Sequence, residues 1–277
     1  MPYPQPGPGG PPPKKSTAGL VIGLVAGGLV LVLVAAVGGF LLLRGGGQGP
    51  SGTGAPEGAG PGVSPDGLQV LQDDGSLVHA DPGAEAPVVE VYIDFQCPAC
   101  REFHTERQGL LEEMGESGEA IVHYRPVSVF AKRGGVLAEN SVRAGAAAIV
   151  AAEYGHYLEY QDLLFERQPA EGEEGFTPEE LAGLGAQAGI DDPGFPDRLQ
   201  EEMDAADAEV NGPGAGSGAA YALIKATDGV MNRYGGADAF AGTPGVYING
   251  ESVDPYTADL RARILDADPG EVTTAPR

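Results

Sequence analysis

Two residues in this chain are equipped for thiol chemistry, and they stand two apart. Cys97 and Cys100 are the only cysteines among 277 residues, and they bracket a dipeptide, Pro98-Ala99. A bond between them would close almost no loop, so it would constrain the unfolded chain little. The pair therefore points to chemistry rather than to a structural staple, and the chemistry is dithiol–disulfide exchange. A CxxC can also be half of a zinc site. With no second cysteine pair, such a site would have to recruit His79, His123, His156 or carboxylates, and nothing gives these ligand spacing. We expect no metal and no cofactor beyond the Cys97–Cys100 disulfide itself.

The elements around the pair must hold it at a helix start. Val88 to Phe95 is apolar and rich in β-branched and aromatic residues, which predicts a buried strand running into the motif. Pro98 suits the first position of a helix from Pro98 to about Ser117. Cys97 would then face unpaired amides and the positive end of the helix dipole, which favour a thiolate. Its pKa should fall below the free value of about 8.5. Cys100 lies one turn deeper and can close the ring.

The remaining pattern supplies a frame. Leu68–Leu71 and Leu77–His79, joined at Asp73-Asp74-Gly75, suggest a hairpin, and Ala120–Val129 a further strand. A helical block follows over about 134–210. It contains an Ala-rich stretch (Val136–Glu153), a stripe of Leu158, Leu163, Leu164 and Phe165 ending before Pro169, and a stretch from Phe195 to Ala208. Within it, Thr177, Pro178 and Glu180 form a capping-box signature. Tyr154, Tyr157 and Tyr160 are expected to pack this block onto the core rather than line a groove. After a Gly-rich break at Asn211–Gly218 come a helix (Ala219–Tyr234), a strand (Val246–Ile248), the turn Asn249-Gly250 and a last helix near Thr257–Asp266. Strand–helix–strand, a helical block, then strand–helix describe an α/β thioredoxin fold with an inserted helical subdomain.

The first 63 residues have a different composition. Residues 1–17 are Pro/Gly-rich and cannot build a core. Residues 18–43 carry no charge. As a helix they would be about 39 Å long, enough to cross a hydrocarbon layer of about 30 Å. This apolar run exceeds the roughly 7–15 residues of a cleavable signal, so an uncleaved anchor is expected. Lys14 and Lys15 precede it and Arg44 follows, which places the N-terminus in the cytoplasm and the remainder outside. Residues 44–63 read as a flexible tether, and 64–277 as the folded domain. From Ser64 onward 13 Lys and Arg stand against 39 Asp and Glu, a net −26. Such a surface repels phosphate backbones and excludes nucleic acid as a partner.

Asp94-Phe95-Gln96-Cys97-Pro98-Ala99-Cys100, the helical block after the second core strand, and Gly242-Thr243-Pro244-Gly245-Val246-Tyr247-Ile248-Asn249-Gly250 together resemble the DsbA family. More narrowly, they resemble its membrane-anchored extracytoplasmic members from Gram-positive bacteria. The resemblance covers about Asp66–Asp268. It implies that Cys97 is the exposed nucleophile, Cys100 the buried resolving thiol and Pro244 a cis proline. It places Thr243-Pro244 against the CxxC, where the Thr243 backbone pairs with an extended client. It implies clients that are secreted or cell-envelope proteins with cysteines. It also implies reoxidation by a quinone-linked membrane partner of the DsbB or vitamin K epoxide reductase type. The oligomeric state is left open.

Two features depart from the family pattern. Relatives often carry a buried acid six residues before the first cysteine, and here that residue is Val91. Glu90 is adjacent but alternates to the other face, so a proton relay through a buried carboxylate is not expected. Enteric DsbA proteins have Pro-His between the cysteines, whereas Ala99 offers only its amide, so a less oxidising couple is expected. His104, four residues beyond Cys100, is a candidate for tuning the thiolate, with a half-exposed surface position as the simpler expectation. The function implied is disulfide formation in secreted proteins by a membrane-tethered oxidoreductase. A reductase or isomerase for a dedicated client and a non-enzymatic client-binding module are the alternatives.

Overall fold

The computed structural model describes residues 62–274. The expected tail, membrane span and most of the tether lie outside the described residues. Among those described, no helix is long and apolar enough to cross a membrane.

Six strands form one sheet. They are β1 (Gln69–Leu71), β2 (Leu77–His79), β3 (Val88–Ile93), β4 (Ile121–Pro126), β5 (Gly245–Ile248) and β6 (Glu251–Val253). Their order is β1-β2-β4-β3-β5-β6. β3 and β4 are parallel, joined through helix α1 (Pro98–Glu116), and β3 pairs antiparallel with β5. This makes β3 the central strand, and all six of its residues are buried. Its alternation divides the protein. Val89, Val91 and Ile93 join Phe103 and Leu111 of α1 in the main core, while Tyr92 packs with Val127, Val230 and Tyr247 on the other face.

Between β4 and β5 run α2 (Gly135–Glu153), α3 (Tyr157–Glu166), α4 (Pro178–Gln187), α5 (Phe195–Asn211) and α6 (Gly218–Arg233). The alanines of α2 let its neighbours approach closely. At Gly145 a Cβ would meet Leu223 Cδ2 of α6 at 2.6 Å, so the helix crossing needs glycine there. The Thr177–Glu180 capping box is present at the start of α4. Tyr157 and Tyr160 are buried in the core, while Tyr154 is half-buried against Phe195. The last helix, α7 (Leu260–Leu265), is shorter than the expected Thr257–Asp266. Its first residues are instead drawn into a turn, because Arg107 of α1 donates to the carbonyls of Tyr256 and Thr257 at 3.1 and 3.4 Å. Strand β6 was not anticipated from the sequence. Three half-polar residues at a sheet edge carry no alternation to read.

On the second face, Glu90 is buried against Arg233 at 2.7 Å and Arg125 at 3.8 Å. Its other oxygen accepts from Tyr234 Oη. Above this ion cluster Tyr234 stacks on Tyr247 with centroids 3.9 Å apart, and Tyr92 meets Phe240 edge-on at 5.7 Å. These rings seat the segment from Tyr234 to Gly245, which leads Thr243-Pro244 into β5 beside the end of β3.

Candidate active site

Three elements converge on the cysteines. The first is the end of β3. The strand stops at Ile93, and the chain turns through Asp94, Phe95 and Gln96, with the Cys97 N–H donating to Asp94 O at 3.0 Å. Phe95 anchors the turn against Phe165 of α3, with centroids 5.0 Å apart. The inserted helices hold the same turn by its polar groups. Gln168 Nε2 donates to Phe95 O at 2.8 Å and to Cys97 O at 3.0 Å, and Gln96 Nε2 donates to Pro169 O at 3.2 Å.

The second element is the start of α1. Cys97 is the extended N-cap residue (φ −80°, ψ 119°), and Pro98 opens the helix. Pro98 is exposed and Ala99 half-buried. Cys97 is 8% exposed and Cys100 0%. The third element is the loop before β5. The Thr243–Pro244 peptide is cis, and the Cys97 thiol lies 3.4 Å from Thr243 O. The structure thus brings together Cys97, Cys100, Thr243 and Pro244.

The two sulfurs are made chemically unequal. A hydrogen bond from Cys100 is the largest influence on Cys97. Together with smaller contributions from Thr243 and the first turn of α1, it overcomes burial and pushes the Cys97 thiol down to about 6. Burial pushes Cys100 well above its ordinary value, and its bond to Cys97 and the charge there act in the same sense. At neutral pH, Cys97 carries the charge and Cys100 the proton.

A pH profile follows from this difference. A depressed thiol pKa stabilises the folded reduced protein above the unfolded value, and the gain is lost as pH falls through the folded value. The reduced protein should therefore lose stability relative to the oxidised protein as pH falls from about 9 to about 6. Ultraviolet thiolate absorbance of the reduced protein should show a half-point near pH 6. A half-point near the free-thiol value of about 8.5 would contradict the geometry.

A carboxylate that the sequence reading passed over also belongs to the site. Asp94 is 0% exposed, directly before the turn. Its Oδ1 accepts from Gln96 N at 2.9 Å; its Oδ2 accepts from Ser141 Oγ of α2 at 2.8 Å and from Phe130 N at 3.4 Å. Its own N–H lies 3.5 Å from Cys100 Sγ. Burial pushes the Asp94 carboxyl up to about 7, the three hydrogen bonds pull the other way, and negative charge on Cys97 adds to the rise. A buried acid is therefore present, one residue past the end of β3. This corrects the expectation drawn from Val91 and Glu90. Val91 does lie in the apolar core, and Glu90 lies on the opposite face. The available signal was an Asp placed between an apolar strand and a CxxC.

The family model described as thioredoxin matches residues 82–267. The chain belongs to the thioredoxin family. Several solved structures of this fold are similar to it. The thiol-disulfide oxidoreductase MdbA from Corynebacterium diphtheriae is 22% identical, over 69% of this chain and 89% of that one, with a TM-score of 0.52. MdbA from Corynebacterium matruchotii is 18% identical over 70% and 89%, with a TM-score of 0.54. BdbD from Bacillus subtilis, in its oxidised form, is 20% identical over 74% and 98%, with a TM-score of 0.54. At these identities the likeness is one of fold. No curated protein sequence matches the chain.

Within this thioredoxin-family site, His104 is more engaged than a surface histidine. It is 14% exposed, with Nε2 3.0 Å from Asp162 Oδ1 and its ring 4.7 Å from that of Phe165. It fastens α1 to α3. His79 and His123 are buried in separate hydrogen bonds, His123 to Ser76 at 2.7 Å. Among the described residues no cluster of His, Cys, Asp or Glu could hold a metal ion.

Proposed function

We propose that this chain is a membrane-tethered, extracytoplasmic thiol:disulfide oxidoreductase that introduces disulfides into secreted proteins. The observation that carries the reading is the inequality of the two sulfurs at a helix start beside Thr243-Pro244. In the forward reaction a client thiolate attacks Cys97 of the Cys97–Cys100 disulfide. The client–Cys97 bond forms, the Cys97–Cys100 bond breaks, and Cys100 leaves with the electron pair and takes up a proton. A second client thiolate attacks the client sulfur of the mixed disulfide and releases Cys97 as its thiolate. The client loses two electrons and the pair gains them. A Cys97 thiol pushed down to about 6 is a good leaving group in that last step. Cysteines in CxxC motifs range from about 3.5 in the strongest oxidants to about 7 in thioredoxin. A value toward the upper end fits a milder oxidant, in keeping with Ala99 in place of histidine.

The uncharged run at 18–43 and the tether at 44–63 support an anchored domain that meets both nascent clients and a membrane partner. That partner would be a quinone-linked reoxidase of the DsbB or vitamin K epoxide reductase type. The mild thiolate also favours a second reading, the same chemistry in reverse as a reductase or isomerase. Labelling free thiols of secreted proteins in a strain lacking this protein separates the two. Disulfide formation predicts accumulation of reduced client cysteines. Accumulation of over-oxidised or mispaired cysteines would support the reductase or isomerase and overturn the oxidase.

A further inference from the structure

A loop of the helical block touches the redox turn at one end and walls a cavity at the other. It spans residues 167–177, between α3 and α4. Gln168 donates to the carbonyl of Cys97, and Pro169 O accepts from the side chain of Gln96, the residue before that cysteine. The neighbours of Gln168 on either side, Arg167 and Pro169, line a cavity of about 380 Å³ whose other wall is α4. The loop closes on itself there, because Gly175 packs on Pro169. A Cβ at Gly175 would meet the proline ring at 2.9 Å. Pro169 and the buried Phe176 and Leu184 give the cavity its apolar part.

Its charged lining is Glu174, Glu179 and Glu180 with Arg167. Arg167 stands 3.8 Å from Glu166, and Glu180 is engaged in the capping box, where it accepts from Thr177 N at 2.9 Å. Glu174 and Glu179 are exposed, and their carboxylates have no hydrogen bond or ion pair among the described residues. A second observation points the same way. Two buried amides hold the loop by its carbonyls. Gln96 Nε2 donates to Pro169 O, and Asn140 Nδ2 of α2 donates to Glu173 O at 2.8 Å. Gln96 is 0% exposed and Asn140 1%, yet Gln96 Oε1 and Asn140 Oδ1 have no donor among the described residues. A buried acceptor without a donor is costly and uncommon in a folded protein. The loop region therefore offers acceptors, both charged and neutral, in excess of donors.

We propose that this cavity is a client subsite that takes a lysine or arginine side chain lying near the client's reactive cysteine. The methylene stem of such a residue fits against Pro169, Phe176 and Leu184, and its charged head meets Glu174 and Glu179. The exposed Glu171 and Glu173 of the same loop attract a basic segment before contact. This inference rests on the oxidoreductase reading above and names a client class for it, proteins whose cysteines are flanked by basic residues.

The test is the second-order rate at which the oxidised full-length protein oxidises two-cysteine peptides at low ionic strength. The peptides differ only in carrying Lys, Gln or Glu at a position two, three or four residues from a cysteine. At the favoured position Lys should exceed Gln by about three- to tenfold, and Glu should be slower than Gln. In Glu174→Gln/Glu179→Gln the ratio of Lys to Gln should fall close to one, with the rate for the Gln peptide unchanged. Glu116→Gln/Glu201→Gln, which removes two exposed carboxylates from α1 and α5, should keep the parent's ratio. Equal rates for Lys and Gln at every position would overturn the proposal. So would an equal loss of the ratio in both double variants, since the preference would then come from net charge alone. A parent that oxidises no peptide would overturn the oxidoreductase reading instead. The subsite is then decided by fluorescence anisotropy of a labelled, cysteine-free lysine peptide. Binding should be at least about threefold tighter to the parent than to Glu174→Gln/Glu179→Gln, and equal binding would overturn the subsite as well.

Discussion

Cys97→Ser should abolish thiol exchange, lowering client oxidation by at least about a hundredfold, to the level of the buffer alone. The reason lies in access. Cys100 is 0% exposed and its thiol is pushed well above the ordinary value, so it can neither be reached by a client nor supply a thiolate on its own. Cys97 lies at the surface end of the pair, beside Thr243, with the charge. A serine hydroxyl there would neither ionise near neutral pH nor form a disulfide.

Cys100→Ala should give the complementary result. Here the Cys97 thiolate attacks a disulfide of a client or of the oxidised reoxidising partner, one sulfur of that disulfide leaves as a thiolate, and without the resolving thiol the mixed disulfide has no internal escape, so such adducts should accumulate until reductant releases them. The same change removes the largest influence that pushes the Cys97 thiol down. The trap should therefore form more slowly below about pH 8 than attack by the reduced parent's Cys97 on the same disulfide. Non-reducing electrophoresis of the full-length Cys100→Ala protein expressed in its native host reads both. If Cys97→Ser retained full function and Cys100→Ala captured nothing, the chain would be a client-binding module and not an enzyme.

How much of this was visible in the sequence depends on how local the cause is. The redox pair, the strand before it and the helix after it were legible because composition, Pro98 and spacing all act within a few residues. The helical block was legible from periodicity and from the Thr177–Glu180 cap. Thr243-Pro244 was placed beside the CxxC only by family resemblance, since 146 residues separate Thr243 from Cys97. Contacts that depend on two distant segments meeting were not legible. Gln168 on the Cys97 carbonyl, Arg107 on the turn after β6, and Tyr256 on Ala99 have ordinary sequence surroundings. Asp94 is an intermediate case. Its place in the motif was plain, but its burial depends on Ser141 and Phe130 arriving from α2 and the loop after β4.

Asp94→Asn should change the pH dependence of stability more than stability at any single pH. The folded Asp94 carboxyl sits near 7, whereas its ordinary value is 3.8. Between these values the folded protein binds a proton that the unfolded chain has released, so unfolding free energy falls as pH rises. The full difference is on the order of 4 kcal/mol, lost progressively from about pH 4 to above pH 7. Asparagine cannot ionise, so that slope should disappear. It also cannot accept with both side-chain atoms, and either the Gln96 N–H or the Phe130 N–H must lose its acceptor, at about 1–3 kcal/mol. The two effects have opposite signs above neutrality. Urea unfolding of the variant should therefore show a clear deficit near pH 5 and a smaller deficit, or a gain, near pH 8. The charge on Cys97 and the charge on Asp94 oppose each other, so the variant's Cys97 should ionise at lower pH and its disulfide should be more oxidising above pH 7. An equal deficit at both pH values, with an unmoved thiolate titration, would make Asp94 a hydrogen-bonding strut alone and remove it from the redox centre.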